Sequence, residues 1–244
     1  MADRSDTAPT VYPPPSPVAH VTEISGSSDS MLVTALRESF AQARTDETRL
    51  TETVLALEGM SGRRYRRFIN ALVGRIPAAR YLEVGSWTGS TLCAAIHGNR
   101  VRAFAIDNWS MFGGPIQTFL RNVADCDSAD VDFNMLTEDF RAVDYARIGR
   151  FNVYLYDGPH SRQDQYDGLR IAQAALDDEY VFVVDDWNWP QVREGTHTAI
   201  RDLRLEVLHA IEVRTSLDGT QPEVIRQASD WHNGYWLSVL RKTR

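Results

Sequence analysis

The sequence of 244 residues is short of cysteine, of long apolar runs and of positive charge. Its two cysteines, Cys93 and Cys126, provide neither a disulfide framework nor the ligand spacing of a cysteine metal centre. No run approaches the ~18 apolar residues of a membrane helix, and no hydrophobic signal core stands near the N-terminus. We therefore expect a cytoplasmic protein that has no membrane partner.

Positive charge is too scarce for a nucleic-acid partner. Lys and Arg number 26 against 33 Asp and Glu, a net charge of −7, whereas a phosphate backbone is bound by a basic surface. One basic tract exists, Arg-Arg-Tyr-Arg-Arg at residues 63–67. Its charges would spread around a helix axis, so we interpret the tract as a solvated helix face.

Two phosphate-binding motifs are also missing. The chain contains no G-x-x-x-x-G-K-[ST] sequence, so a P-loop is unsupported. Its glycine turn has the spacing Gly85-x-x-x-Gly89, and the bulky Trp87 stands where the second glycine of a dinucleotide turn would let the backbone approach a pyrophosphate. The turn therefore predicts a nucleoside ligand that carries no phosphate.

What the sequence does contain is the pattern of a nucleoside-binding βαβ unit. An apolar strand over 81–84 has Glu83 near its end, runs into the glycine turn and is followed by a helix. A second apolar strand over 101–106 ends in Asp107. In such a unit the turn offers backbone N–H groups to the ligand, and the second acid accepts bonds from ribose hydroxyls.

Periodicity divides the chain into three parts. Residues 1–30, rich in Pro and Ser, have too little apolar surface to offset chain entropy, so we expect a disordered tail. Helical stripes over 31–78 predict a helical cap. Strands alternate with helices over 79–244, which predicts an α/β domain with a mostly parallel sheet. Seven strands are expected, at 81–84, 101–106, 131–136, 151–156, 180–184, 208–213 and 235–240, and no helix separates the last two.

Glu83, Gly85 and Gly89 form an E-x-G-x-x-x-G motif, and in this motif the chain resembles the class I S-adenosylmethionine-dependent methyltransferases. The resemblance implies a Rossmann-like, seven-stranded, mostly parallel sheet with helices on both faces and a terminal antiparallel strand. It also implies S-adenosylmethionine as the cofactor. Trp87, in place of a middle glycine, is shared by metal-dependent O-methyltransferases of small molecules.

The resemblance implies a set of cofactor-binding residues. Asp107 would bind the ribose hydroxyls, and Trp109 would cover the adenine. Asp139 and Phe140 occupy the place of the family's adenine contact, although Phe140 is equally open to interpretation as a core residue. The remaining implied residues, around the methionine part and next to Asp107, are Glu83, Gly85, Ser86, Trp87, Gly89, Ser90 and Asn108.

Further acids follow the fourth and fifth strands: Asp157, with His160 three residues later, and the pair Asp185 and Asp186. This arrangement resembles the metal-dependent macrolide-sugar O-methyltransferases. It implies Asp157, Asp185 and Asp186 as ligands of Mg²⁺, with His160 as the base beside a catalytic Asp157. The structural alternatives are that Asp157 caps the next helix or binds the methionine amino group. The structural alternative for Asp185 or Asp186 is to accept hydrogen bonds from loop N–H groups. The alternative for His160 is to stand at the start of a helix without a catalytic role.

The sequence thus predicts methyl transfer from S-adenosylmethionine to a hydroxyl of a small secondary metabolite. Cap helices of this kind support homodimers in the family. One alternative is that the cofactor is itself the substrate: its amine attacks its own γ-carbon and gives an azetidine amino acid and methylthioadenosine. A second alternative is a binding module that retains a degenerate nucleoside site.

Overall fold

The computed structural model describes residues 19–26 and 29–243. The strands of these residues are β1 (His20–Ser25), β2 (Ala79–Val84), β3 (Val101–Ile106), β4 (Val131–Leu136), β5 (Phe151–Tyr156), β6 (Leu176–Val184), β7 (Leu205–Arg214) and β8 (Tyr235–Lys242). Their helices are α1 (Met31–Ala43), α2 (Glu52–Leu55), α3 (Arg63–Arg75), α4 (Ser90–Ile96), α5 (Ile116–Cys126), α6 (Arg162–Ala172) and α7 (Pro190–Asp202).

All eight strands form one sheet in the order β1-β7-β8-β6-β5-β2-β3-β4. The neighbouring strands among β2 to β6 are parallel. Strand β8 runs antiparallel to both of its neighbours, β6 and β7. The predicted α/β fold, with a mostly parallel sheet and a terminal antiparallel pair, is confirmed.

The sheet has eight strands and not the predicted seven, because β1 pairs with β7. This strand lies inside the stretch 1–30 that was expected to be disordered. Residues 20–24 are exposed, so β1 is held by backbone hydrogen bonds to an edge strand and not by apolar burial. A prediction from composition cannot detect such pairing. The rest of the predicted tail, residues 1–18 and 27–28, lies outside the described residues.

The sheet has two distinct faces. Helices α1 to α5, which include the helices of the predicted cap, share one core cluster with Tyr81 of β2. Helices α6 and α7 share the other cluster with Leu82 and Val84. We call these the cap-side face and the opposite face. Side chains alternate along a strand, so the alternation places Glu83 on the cap-side face.

The strand-end acids follow the same alternation. Asp107, Asp157 and Asp185 each come directly after a strand whose last residue belongs to the opposite-face cluster. The alternation therefore directs all three toward the cap-side face, where Glu83 also lies. Within the part of the chain that the structure describes, no helix is both long and apolar enough to cross a membrane.

Candidate active site

The glycine turn after β2 brings three strand ends together. Gly85 has a φ of 85°, and its N–H donates to the carbonyl of Ile106 at 2.9 Å. A Cβ atom at residue 85 would lie 2.0 Å from the carbonyl oxygen of Asp157. Only glycine fits, because φ is positive and because the backbone after β5 passes so close.

Asp107 orders this turn. Its Oδ2 accepts the N–H groups of Ser86 at 2.8 Å and of Trp87 at 2.9 Å, and its Oδ1 accepts that of Trp109 at 2.7 Å. The side chain is half-buried, and Oδ1 retains capacity for a further donor. The residue predicted to bind ribose is therefore also the residue that shapes the turn.

Trp109 supports the turn instead of standing open for a nucleobase. Its side chain is 8% exposed and packs on Phe119 with ring centroids 4.9 Å apart. Its Nε1 donates to the carbonyl of Trp87 at 2.8 Å. Trp109 was predicted to cover the adenine. The structure instead buries its ring against Phe119. The half-buried Trp87 has the Arg226 guanidinium 5.8 Å from its ring centroid.

The other two residues predicted to contact adenine, Asp139 and Phe140, differ in burial. Phe140 belongs to the opposite-face cluster and packs edge-on against Tyr156 at 5.5 Å. The guanidinium of Arg141 lies 4.3 Å from the Phe140 ring centroid. Asn108 and Asp139 are exposed. The structure therefore places Phe140 in the core, which is the second of its two interpretations.

Glu83 is a buried acid with an unpaired oxygen. Its side chain is fully buried, and Oε2 accepts the hydroxyl of Tyr81. Ser86 Oγ lies near the carboxylate, but neither Ser86 Oγ nor Glu83 Oε1 makes a hydrogen bond. Burial raises the pKa of Glu83 to about 8, a rise that the Tyr81 hydroxyl only partly opposes. Without a ligand Glu83 is therefore mostly neutral at neutral pH, and a cationic ligand group beside it would favour its ionised form.

Asp157, His160 and Asp186 bring their side chains to one point. Their ligand atoms all lie within 4.8 Å of one another. His160 Nε2 is 2.9 Å from Asp186 Oδ2 and 3.6 Å from Asp157 Oδ1. Nε2 nevertheless has no hydrogen bond of acceptable geometry, so these contacts are ion pairs. The three groups can bind a proton or a metal ion between them.

The charges of this cluster are linked. Burial alone would lower the pKa of His160, but the carboxylates of Asp157 and Asp186 raise it to about 10. Burial raises the pKa of Asp157 to about 6, against the opposing effect of His160. Burial would also raise the pKa of Asp186, but His160 brings it below its ordinary value. Without a ligand, His160 is therefore a cation at neutral pH.

Asp185 lies beside the convergent trio, and burial together with the charges of Asp157 and Asp186 raises its pKa well above the ordinary value. It is buried, and its Oδ1 accepts the N–H of Asp186 at 2.7 Å. Asp185 belongs instead to a second group with Asp186 and His232. Nδ1 of His232 accepts the N–H of Arg226 at 2.9 Å, so the neutral ring has its proton on Nε2 and cannot bind a metal there. The predicted set of three carboxylates therefore stays a prediction, and the structure adds His160, which converges with Asp157 and Asp186.

Several residues of the site were missed by the sequence analysis. Asn233 donates from Nδ2 to Asp186 Oδ1 at 2.8 Å. Tyr65 of α3 and Tyr235 of β8 are buried and stack with ring centroids 3.8 Å apart. Burial raises the pKa of Tyr65 well above its ordinary value, and the charge of Asp185 raises it further. Tyr65 had shown only the apolar spacing of a helix stripe, and nothing in the sequence distinguishes Asn233 or Tyr235.

A groove of about 800 Å³ lies at the opposite end of the sheet, beside the first residues of β2, β3 and β4. Its lining includes Arg49, Arg80 and Arg102. Ligands of open parallel sheets bind beyond the carboxyl ends of the strands. The candidate site therefore lies at the carboxyl ends of the strands, where the acids are, and not in this groove, although the groove is large.

No protein-family model matches the sequence, and no curated protein sequence matches it significantly. Solved structures do match this chain in fold, and some of them are described as methyltransferases. TrmN from Thermus thermophilus superimposes with a TM-score of 0.51 at 16% identity, over 78% of this chain. This chain spans about half of that protein, 52%.

Two cofactor-bound structures match over most of their length. The S-adenosylhomocysteine-bound methyltransferase PaMTH1 from Podospora anserina has a TM-score of 0.51 at 13% identity, over 90% of each chain. Cofactor-bound Rv0187 from MTB has a TM-score of 0.50 at 15% identity, over 88% of this chain and 92% of that one. At such identities the similarity shows the fold alone.

Proposed function

We propose that this protein binds S-adenosylmethionine at the carboxyl ends of β2, β3 and β5 and transfers its methyl group to a hydroxyl of a small molecule. The observation that supports this most directly is the glycine turn. Asp107 fixes its N–H groups, and the unpaired carboxylate oxygen of Glu83 lies beside it. A nucleoside with a positively charged tail suits both features.

Each part of the cofactor has a partner of matching chemistry. The remaining acceptor capacity of Asp107 would bind the ribose hydroxyls. The unpaired oxygen of Glu83, together with the half-buried Asp157, would pair with the ammonium of the tail. Rate acceleration would come mainly from the alignment of the methyl group with the acceptor oxygen in a site that excludes water.

Deprotonation of the acceptor is the role proposed for His160, held between Asp157 and Asp186. A protonated imidazole cannot act as a base, so His160 serves only once its carboxylate partners are neutralised by another cation. Alternatively, all three groups of the convergent trio would hold a divalent cation, with His160 as a ligand and no longer available as the base; two carboxylates with an imidazole suit a transition metal at least as well as the predicted Mg²⁺. A bound cation would also lower the pKa of the acceptor hydroxyl.

Calorimetric titration with S-adenosylhomocysteine tests the proposal. We expect the wild type to bind in the micromolar range (~8 kcal/mol). Asp107→Ala should weaken binding at least tenfold, since both the turn and the ribose contact depend on this carboxylate (about 1.4 kcal/mol or more). Asp132→Ala is the matched control, because this exposed acid lies on β4, far from the turn.

Incubation with S-adenosylmethionine then identifies the reaction. We expect S-adenosylhomocysteine to form only when hydroxyl acceptors are added. Methylthioadenosine in the absence of an acceptor would instead indicate cyclisation of the cofactor. A wild type that binds neither compound would overturn the proposed function, and unchanged affinity in Asp107→Ala would remove the ribose assignment.

A further inference from the structure

Arg226 is an exposed cation beside the glycine turn. It lies in the segment between β7 and β8, where it begins a short helical turn, Arg226–Ala228. Its guanidinium carbon is 5.8 Å from the ring centroid of Trp87. Among residues 19–26 and 29–243, no carboxylate lies within ion-pair distance of this guanidinium. Its charge is therefore open to a ligand anion.

The backbone of Arg226 is fixed, although its side chain is exposed. Its N–H donates to His232 Nδ1 at 2.9 Å. Its carbonyl accepts the N–H of Ser229 at 3.0 Å and the hydroxyl of Ser229 at 2.7 Å. The φ of Arg226 is 58°, a left-handed conformation that favours glycine. Three hydrogen bonds thus hold an arginine in a place where the backbone itself would favour a residue without a side chain.

The segment that carries Arg226 lies at the same end of the sheet as the strand-end acids. Strand β8 is antiparallel to both β6 and β7, so β7 runs in the same direction as β6. The segment 215–234 follows β7 and therefore begins at the carboxyl end of the parallel strands. This is the end where open parallel sheets bind their ligands.

Arg226 spans the proposed reaction centre. On one side its backbone contacts His232, whose Nε2 is 4.0 Å from Asp186 Oδ1, after β6. On the other side its guanidinium lies over Trp87, in the turn after β2. Strand β5 lies between β6 and β2 in the sheet, and His160 follows β5. The guanidinium is therefore within reach of a small molecule whose hydroxyl lies at His160.

An apolar surface adjoins this cation. The Nε1 of Trp87 donates to the carbonyl of Phe112 at 3.3 Å, and the two rings meet edge-on with centroids 6.4 Å apart. Trp87 is half-buried, whereas Phe112 is 63% and Met111 55% exposed. Exposed apolar side chains beside a site suit an apolar ligand, and a nearby charged group fixes its orientation.

We propose that Arg226 binds a carboxylate of the methyl acceptor, and that this acceptor is an aromatic hydroxy acid. The inference rests on the proposed function and names its substrate class. A planar guanidinium pairs with a carboxylate through two parallel N–H donors. The aromatic ring would lie against Phe112 and Met111, and the hydroxyl at His160. A phosphate is less suited, because Asp157 and Asp186 would repel its second negative charge.

Two acceptors that differ in charge test the assignment, namely protocatechuate and its neutral carboxamide. The formation of S-adenosylhomocysteine from S-adenosylmethionine gives kcat/KM for each. We expect the wild type to prefer the acid at least about tenfold. Arg226→Gln should lower kcat/KM for the acid about 10- to 100-fold and leave the amide within about twofold. Arg226→Lys, which keeps the charge but not the planar donors, should recover part of the loss.

The matched control is Arg204→Gln. Arg204 is also exposed and has a φ of 52°, but it directly precedes β7, at the other end of the sheet. This variant should behave as the wild type does. Calorimetric titration with S-adenosylhomocysteine completes the comparison, and Arg226→Gln should bind it within about twofold of the wild type, because the proposed contact is with the acceptor.

Three outcomes would overturn the inference. The first is a wild type without preference for the acid, and the second is an equal loss for acid and amide in Arg226→Gln. The third is a wild type that binds S-adenosylhomocysteine and methylates neither compound, which would leave the cofactor site in place. A wild type that does not bind S-adenosylhomocysteine would instead contradict the proposed function itself.

Discussion

The two faces of the central sheet treat their buried tyrosines differently. On the opposite face, the hydroxyl of Tyr154 donates to the carbonyl of Gly168 at 2.9 Å, and that of Tyr156 to the carbonyl of Pro159 at 3.1 Å. On the cap-side face the hydroxyl of Tyr81 donates to Glu83, but the equally buried Tyr65 and Tyr235 have no partner for their hydroxyls among the described residues.

Buried polar groups are almost always hydrogen-bonded, so unpaired groups on one face call for an explanation. The unpaired groups of the opposite face are uncharged at neutral pH: the Tyr145 hydroxyl, Trp236 Nε1 and Gln165 Nε2. Those of the cap-side face include Glu83 Oε1 and Arg66 Nη2, which belong to an acid and to a guanidinium. The two faces therefore differ in the kind of group that is unpaired, and the groups of the cap-side face suit a charged ligand.

The largest expected effect concerns Glu83. Its neighbours on β2 that face the other side of the sheet, Leu82 and Val84, are apolar. The pKa of Glu83 is about 8 in the folded protein and about 4.3 in an unfolded chain. The folded state thus binds the proton more tightly, so the free energy of unfolding falls as pH rises from about 4.3 to about 8. Relative to Glu83→Gln, the wild type should lose about 3–5 kcal/mol over this range.

Urea unfolding at a series of pH values measures this difference. Glu194→Gln, which alters an exposed acid on α7, is the control and should follow the wild type throughout. If Glu83→Gln also parallels the wild type at every pH, Glu83 has a partner in solution, and the contrast between the two faces weakens.

A divalent cation bound by Asp157, His160 and Asp186 would be a second ligand of the cap-side face. Mn²⁺, detected by its paramagnetic signal, should bind the wild type and bind Asp186→Asn and His160→Gln at least tenfold more weakly (about 1.4 kcal/mol or more). Asp185→Asn should weaken binding less, because Asp185 lies outside the convergent trio. The reverse order would favour the three-carboxylate set predicted from the sequence, and a wild type that ignores Mn²⁺ would exclude a metal role for these residues.

The acids of the site could be predicted because each follows an apolar strand, and the ends of parallel strands meet at one edge. Even the bounds of β4, Val131–Leu136, and β5, Phe151–Tyr156, are those predicted. Tyr65, Tyr235 and Asn233 could not be predicted as site residues. They come from the cap and from the end of the chain, and only tertiary packing brings them to the turn.

The roles of individual residues were harder to predict from the sequence than their positions in the fold. Trp109 and Phe140 both lie next to strand-end acids, but packing against Phe119 and Tyr156 decides their roles. Sequence spacing gives the position of an aromatic ring along the chain and not the neighbours that bury it. For the same reason the charged Arg66 looked solvated, since its partners are backbone carbonyls that no sequence pattern reveals.

The smallest expected effect comes from the removal of single tyrosine hydroxyls, and it compares the two faces of the sheet most directly. Tyr154→Phe removes a bonded hydroxyl and should lower the free energy of unfolding by about 1 kcal/mol. Tyr65→Phe and Tyr235→Phe remove unpaired hydroxyls and should leave it unchanged or raise it by up to about 1 kcal/mol. Urea unfolding without ligand measures both. A loss in Tyr65→Phe equal to that in Tyr154→Phe would mean that the Tyr65 hydroxyl is bonded in solution, and the contrast between the tyrosines of the two faces would then disappear.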